Sequence, residues 1–349
     1  MIFDAPSSVR VEDVPAPRIR EPGDAIVRVS RAAICASDLH LLDGKTPGMR
    51  DGATIGHEFV GTVTELGGEA ARHYEGERVV GSFLIACGTC SPCLDGRFNH
   101  CLSRRALGLG TLTGDLDGAQ AEYVRVPNAD INLHTLDGTL GELSDEQALF
   151  AGDILATGFY AAALSGVEPG STVVVIGAGP VGLFCAAAAS RRGAVSVLVL
   201  DQDPSRVAFA RERFGVEAID VSGRDAEAEV REATFGRLAD VAIEAVGSVD
   251  AFKSALRCVR DGGVVTVVGV YGAERFDFPM GRVWIRGLDL RFAGMANVQA
   301  HWEDALAAVG AGDVDPTALI THRLPLDSAP EGYELFASRE AMKVVLTPT

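Results

Sequence analysis

No stretch of this chain reaches the roughly 18 uninterrupted apolar residues of a membrane-spanning helix. It has no basic run either. Its 31 Lys and Arg stand against 48 Asp and Glu, a formal net charge of −17, and so acidic a surface repels phosphate backbones and anionic membranes. Neither nucleic acid nor membrane is therefore expected as a partner. Met1-Ile2-Phe3-Asp4-Ala5-Pro6 lacks the basic start and apolar run of a signal peptide, so a cytoplasmic protein is expected. Internal repeats and low-complexity linkers are missing too. In a reducing cytosol the seven cysteines are not expected to form structural disulfides.

What remains is a chain of 349 residues, 47% of them hydrophobic and 23% charged, which suits about two globular domains. Residues 1 to about 150 read as short strands between Pro and Gly breaks: 8–11, 25–29, 59–64 and 77–81. At Ser144 the pattern changes. Ser144 reads as a helix N-cap, with Gln147 completing a capping box. From about 172 strands alternate with helices. Apolar runs at 173–176, 195–200, 239–243 and 263–268 suit buried parallel strands, with helices at 180–191 and 204–214. After about 296, a helix (301–309) and a strand (343–346) resemble the first region, so the nucleotide-binding part reads as an insertion.

Five cysteines precede that insertion, whereas Cys185 and Cys258 lie in apolar helical stretches and read as packing residues. Cys87, Cys90, Cys93 and Cys101 share one Gly/Pro-rich loop. Four thiolates so spaced suit a closed tetrahedral zinc site; an iron-sulfur cluster is the other use of close cysteines, but the second cluster's ligands of bacterial ferredoxins are lacking. Cys35-Ala36-Ser37-Asp38-Leu39-His40 places a thiol, a hydroxyl, a carboxylate and an imidazole within six residues, and Gly56-His57-Glu58 and Gly152-Asp153 add a nitrogen and two acids. One Cys, one His and one acid leave a zinc ion an open position for chemistry.

Gly177-Ala178-Gly179-Pro180-Val181-Gly182 follows an apolar strand and opens a helix, the context a dinucleotide pyrophosphate requires. Asp201 ends the next strand. Its carboxylate suits the ribose hydroxyls of NAD and repels the 2′-phosphate of NADP, although it also reads as a turn former and Arg206 nearby would suit a phosphate.

Taken together these motifs resemble the zinc-dependent medium-chain alcohol dehydrogenases over essentially the whole chain. The resemblance implies an α/β protein: a GroES-like β-rich catalytic domain (1–151, with a structural-zinc lobe at 86–102) and an inserted Rossmann domain with a doubly wound parallel sheet (152–296). Residues 297–349 return to the catalytic domain. It implies two zinc ions per subunit and NAD, with Cys35, His57 and Asp153 holding the catalytic ion and Cys87, Cys90, Cys93 and Cys101 the structural one. Glu58 then sits behind the ion or serves as a transient ligand, Asp38 orients His57 or anchors the domain, and Ser37 and His40 relay a proton. Phe83 lines the substrate pocket. Gly177, Gly179, Pro180, Val181, Gly182, Asp201, Arg206, Thr157, Val270 and Lys343 are the expected cofactor contacts, Lys343 near the phosphates and Asp38.

The resemblance also implies a homodimer or homotetramer acting on a primary, secondary or polyol alcohol, or on an aldehyde. Two departures stand out: Ala36 where glycine is common, and Asp153 where many relatives have Cys or Glu. The stretch 152–158 looks most like formaldehyde dehydrogenases and some bacterial secondary-alcohol enzymes, but this chain is shorter than the former. Aldehyde oxidation, a zinc- and NAD-binding protein without turnover, and the zinc-free, NADPH-using quinone reductase branch are the competing readings. The last lacks the four-cysteine lobe.

Overall fold

The computed structural model describes residues 1–5, 8–44, 48–271 and 275–348. The chain divides into two compact units, Met1–Ala156 with Asn297–Thr349, and Thr157–Ala296. The first division falls five residues later than the 151/152 boundary read from the sequence. The reason is a helix that runs through it: Ile154, Leu155 and Ala156 begin Ile154–Leu164 yet pack with the first unit.

In the first unit, β1 (Ala25–Ile34) leads into the short helix α1 (Ala36–Leu42), and β2 (Glu58–Leu66) and β3 (Arg78–Gly81) follow. β4 (Leu133–Thr135) comes next, then the turn of helix Asp145–Ala148, where the Ser144 hydroxyl accepts from Gln147 N and the Gln147 side chain from Ser144 N. That capping box satisfies donors a helix start would otherwise leave free.

The second unit alternates strand and helix after α2 (Ile154–Leu164): β5 (Thr172–Ile176), α3 (Pro180–Arg191), β6 (Ser196–Asp201), α4 (Pro204–Phe214), β7 (Glu217–Asp220), α5 (Ala226–Ala233), β8 (Ala239–Glu244), α6 (Val249–Cys258), β9 (Val259–Val267), α7 (Met280–Ile285) and β10 (Asp289–Phe292). The strands form one parallel sheet in the order β7-β6-β5-β8-β9-β10. Every residue of β5 is buried, as a strand covered on both faces must be. The order reverses between β5 and β8, and that switch point at the carboxyl ends of the strands is where doubly wound sheets take a ligand. Cys185 and Cys258 are fully buried, and burial pushes both thiols up to about 12.

The chain then returns to the first unit through β11 (His322–Pro325) and β12 (Val344–Thr347), giving a sheet ordered β11-β12-β1-β2-β3-β4. Val344–Leu346 pair with Ile34–Ala32, so Lys343, just before β12, comes to the end of β1 where Cys35 begins. Among the described residues no single helix is long and apolar enough to cross a membrane.

Candidate active site and metal centres

Three separate backbone features present Cys35, His57 and Asp153. Cys35 is extended (φ −108°, ψ 156°) between β1 and α1, and its N–H donates to Asp38 Oδ2 at 2.9 Å. His57 is set by Gly56 (φ +90°), where a Cβ would stand 2.3 Å from Gln120 Cγ; only glycine fits. Asp153 departs from helical geometry (φ −150°, ψ −94°) between the helical turn Leu149–Gly152 and α2. All three are buried, with one donor atom each within 4.8 Å of the others.

The spacings suit a zinc ion. Zn–S near 2.3 Å and Zn–N or Zn–O near 2.0–2.1 Å place tetrahedral donors about 3.3 to 3.6 Å apart. Asp153 Oδ2 lies 3.3 Å from His57 Nε2 and 3.7 Å from Cys35 Sγ.

A ring of buried polar groups stands behind these donors. Asp38 Oδ1 is 3.2 Å from His57 Nδ1, which leaves Nε2 turned to the cluster, the orientation a metal-bound imidazole needs. Gln120 Nε2 donates to Asp38 Oδ2 at 3.2 Å, and Tyr333 Oη donates to Gln120 Oε1 at 2.8 Å. Ser37 Oγ lies 3.1 Å from His57 Nε2, and the Phe83 ring meets the His57 ring edge-on at 6.0 Å. His40 sits half-buried one turn further along α1.

The electrostatics are those of a cation site. Burial pushes the Cys35 thiol up, with Lys343 opposing. Burial would lower His57, but Asp38 and a hydrogen bond with Asp153 raise it well above 6.5. Burial would raise Asp153, yet the same His57 contact holds it below the usual carboxylate range. Glu58 is pushed up to about 7 by burial.

Lys343 requires a correction. Placed near the cofactor phosphates in the sequence reading, it is 1% exposed, with Nζ 2.5 Å from Glu58 Oε2 and 5.5 Å from the centre of the Phe150 ring. A lysine so enclosed is committed to its carboxylate, because an unpaired charge at that depth costs several kcal/mol. Gln120 and Tyr333 were missed outright. Nothing marks one glutamine or one tyrosine as part of a site until the sheet and the C-terminal helix bring them to Asp38.

The four-cysteine loop closes on itself. Cys90 Sγ is 3.4 Å from Cys93 Sγ and 3.9 Å from Cys101 Sγ, and Cys87 Sγ is 4.0 Å from Cys93 Sγ; a zinc tetrathiolate requires about 3.8 Å. The N–H groups of Cys87 and Ser103 donate to Cys101 Sγ at 3.3 and 3.4 Å, as thiolates attract. Burial raises the Cys93 thiol to about 12 and raises Cys101 as well, while Cys87 falls to about 6 because hydrogen-bond donors outweigh burial there, and the backbone N–H donors of Leu102 and Cys93 lower Cys90. The returning chain clamps the loop: Asn297 bonds Phe98 N and Gly96 O, and Gln299 bonds Leu84 O and Asn132.

In the second unit, Gly177 (φ +107°) turns the chain after β5, and a Cβ on Gly182 would stand 1.9 Å from Gly177 O, so α3 can pack this closely only with glycine there. Gly179 caps α3, whose first residues are Pro180 and Val181; Pro180 at the first position forfeits an N–H that has no helical partner anyway. Asp201 ends β6 beside this turn, with Oδ2 accepting from Ala178 N at 2.7 Å and Oδ1 from Asp203 N at 2.9 Å. The Arg206 guanidinium reaches to 3.8 Å from where a Gly179 Cβ would be. Thr157 is half-buried on α2, and Val270, beyond β9, is 62% exposed with its carbonyl against Gly247.

Comparison with known proteins agrees with this construction. Residues 21–136 match the alcohol dehydrogenase GroES-like domain, and residues 180–311 match the zinc-binding dehydrogenase family. The chain is 34% identical to AdhB, a zinc-type alcohol dehydrogenase-like protein of Bacillus subtilis, over 98% of this chain and 97% of that one. Alcohol dehydrogenase TADH from Thermus sp. ATN1 superposes with a TM-score of 0.94 at 41% identity, covering 100% of this chain and 99% of that one. A zinc-binding dehydrogenase from Sinorhizobium meliloti, solved with NADP, does so at 0.86 and 29% identity, covering 99% and 98%. The chain belongs to the zinc-dependent medium-chain alcohol dehydrogenase family.

Proposed function

We propose that the protein interconverts an alcohol and its aldehyde or ketone by hydride transfer to NAD, with catalytic zinc held by Cys35, His57 and Asp153 and structural zinc by the four-cysteine loop. The observation that carries this reading is the convergence of three buried donors of the kind and spacing zinc takes, with the Ser37 hydroxyl 3.1 Å from the imidazole nitrogen of the set. Zinc bound there supplies Lewis acidity that eases loss of the alcohol proton.

The chain's own groups do the rest. Asp38 fixes the His57 ring, and Gln120 and Tyr333 fix Asp38. The Ser37 hydroxyl both accepts and donates, so it can take the alcohol proton and pass its own on, with the His40 imidazole next along α1. Lys343 balances Glu58, so the negative charge facing the metal comes from Cys35 and Asp153 alone. In the oxidative direction the alcohol carbon loses hydride to the nicotinamide, its oxygen loses a proton to this chain, and the carbonyl compound leaves.

Asp201, with its oxygens already accepting backbone hydrogen bonds, supports NAD over NADP, since a 2′-phosphate would bring its charge against that carboxylate. The test is a panel of primary and secondary alcohols, polyols and aldehydes, each with NAD and with NADP, and of quinones with NADH and with NADPH, read by the absorbance of the reduced nicotinamide. Turnover of an alcohol with NAD that stops when zinc is chelated supports the reading. Turnover confined to quinones with NADPH, or none across the panel in zinc-replete protein, overturns it.

A further inference from the structure

The nucleotide-binding unit contains a second concave site that the dehydrogenase chemistry does not use. A cavity of about 650 Å³ is lined by Arg231, Arg237, Arg257, Arg260, Arg282 and Arg286, with Glu227, Asp261 and Leu238. It lies at the end of the parallel sheet away from the glycine turn. Gly177 follows the carboxyl end of β5, whereas Leu238 immediately precedes β8, and Arg260 and Asp261 open β9. Strands of five or six residues separate the two ends by roughly 17 to 20 Å.

The charge there runs against that of the whole chain. Six guanidinium groups and two carboxylates in the lining leave an excess of four positive charges, or three once Asp240, bound to Arg260 at 2.7 Å, is included. The chain as a whole carries −17. Local structure uses some of these arginines: Arg286 bonds Asp261 and the carbonyls of Leu256 and Val259, and Arg231 bonds Glu227. The side chains of Arg237 and Arg282 make no hydrogen bond or ion pair among the described residues, and Arg257 has only a 3.4 Å contact with Ser254 Oγ. Like charges gathered round one concavity repel unless something neutralises them.

The loop that carries Arg237 is held in costly backbone geometry. Phe235 (φ 53°) and Leu238 (φ 64°) are both left-handed, which bulky residues avoid, and the Thr234 hydroxyl ties the loop down by donating to Val230 O and accepting from Leu238 N. Phe235 is 96% exposed beside it.

We propose that this cavity binds a polyphosphate anion, either an inorganic chain or the polyphosphate of a nucleotide. Three or four uncompensated positive charges call for a compact anion of similar charge, and the guanidinium fork matches phosphate oxygens in pairs. The volume is that of a small-molecule site. This proposal is independent of the alcohol and NAD reading.

The experiment is calorimetric titration of full-length, zinc-replete protein with tripolyphosphate and, separately, with ATP, at low and at physiological salt. The expected result is one saturable site per subunit that weakens as salt rises, and that Arg237→Ala/Arg282→Ala weakens by roughly tenfold to a hundredfold while alcohol turnover is unchanged. Equal affinity for both probes would assign the site to the phosphate chain. Tighter ATP binding that Phe235→Ala lowers to the tripolyphosphate value would assign it to a nucleotide whose base stacks on Phe235. If circular dichroism shows the double variant misfolded, Arg282→Gln alone, at an exposed position on α7, should still weaken binding. The proposal is overturned if wild-type protein shows no saturable binding at low salt, or if the heat persists in the folded arginine variants because tripolyphosphate is stripping zinc or ATP is occupying the dinucleotide site.

Discussion

Replacing Cys93 by serine tests whether the four-cysteine loop is held by metal. Its apolar cluster consists of Ala86, Phe98, Ile131 and the four cysteines, so only two large side chains support it. Phe98 and Ile131 are only partly buried, so they stabilise by at most about 3 to 6 kcal/mol. Ordering the loop 87–101 costs at least about 15 kcal/mol of backbone entropy. The shortfall, roughly 9 to 12 kcal/mol, is what a structural zinc supplies when four thiolates bind it. Cys93 Sγ lies 3.4 Å from Cys90 Sγ and 4.0 Å from Cys87 Sγ, and a serine hydroxyl there neither ionises near neutrality nor ligates zinc as a thiolate does. Cys93→Ser should therefore lose one zinc per subunit, and amides 87–101 should lose their hydrogen-exchange protection. The parallel-sheet unit should keep its own protection, because its core lies elsewhere. Full zinc content, or a loop still protected in the variant, would refute the reasoning, as would iron in the purified wild type.

Asp201→Ala should lower the ratio of NAD to NADP efficiency, because hydrogen bonds to a charged group are worth about 1.5 to 3 kcal/mol; steady-state kinetics with both cofactors checks it, and a wild type that prefers NADP contradicts it. Lys343→Met should destabilise the first unit by about 3 to 5 kcal/mol by stranding the buried Glu58, and Glu58→Gln/Lys343→Met should recover part of that in urea unfolding; a single variant as stable as wild type would show that the pair holds nothing. Glu244, fully buried at the end of β8, has its pKa raised above 4.5 by burial, against N–H donors from Gly247 and Val246. The unfolded chain releases that proton first as pH rises from 4.5, so wild-type stability falls until the raised folded value is passed. Glu244→Gln does not titrate, so its melting temperature relative to wild type should climb across that window, and a difference independent of pH would exclude the effect.

Local signals carried much of the sequence reading, and it failed where distant segments meet. Helices 180–191 and 204–214 were readable because Pro180 and Pro204 open them, and Gly215 (φ +64°) closes the second. The cysteine spacing specified a closed loop because its partners lie within fifteen positions. The resemblance placed Lys343 near the cofactor phosphates, and nothing in the local sequence marks a lysine before a short apolar strand for burial. Its burial against Glu58 follows from the pairing of β12 with β1 and of β1 with β2, which joins residues 285 positions apart. Gln120 and Tyr333 were unreadable for the same reason. The six cavity arginines form no run, being spread from 231 to 286 over three helices and two strand starts, so only the folded sheet gathers their charge.

On the proposed reading Asp153, not Glu58, completes the catalytic metal triad. Asp153 Oδ2 lies among the donors of Cys35 and His57, while Glu58 Oε2 is taken up by Lys343. The direct measurement is zinc per subunit in Asp153→Asn and in Glu58→Gln, purified alike with excess zinc removed. Asp153→Asn keeps the shape and deletes the charge, so it should retain only the metal of the cysteine loop, about one zinc, whereas Glu58→Gln should retain about two. Two zinc ions in Asp153→Asn beside one in Glu58→Gln would contradict the assignment, and two in both would leave Asp153 an ordinary acid at a helix start.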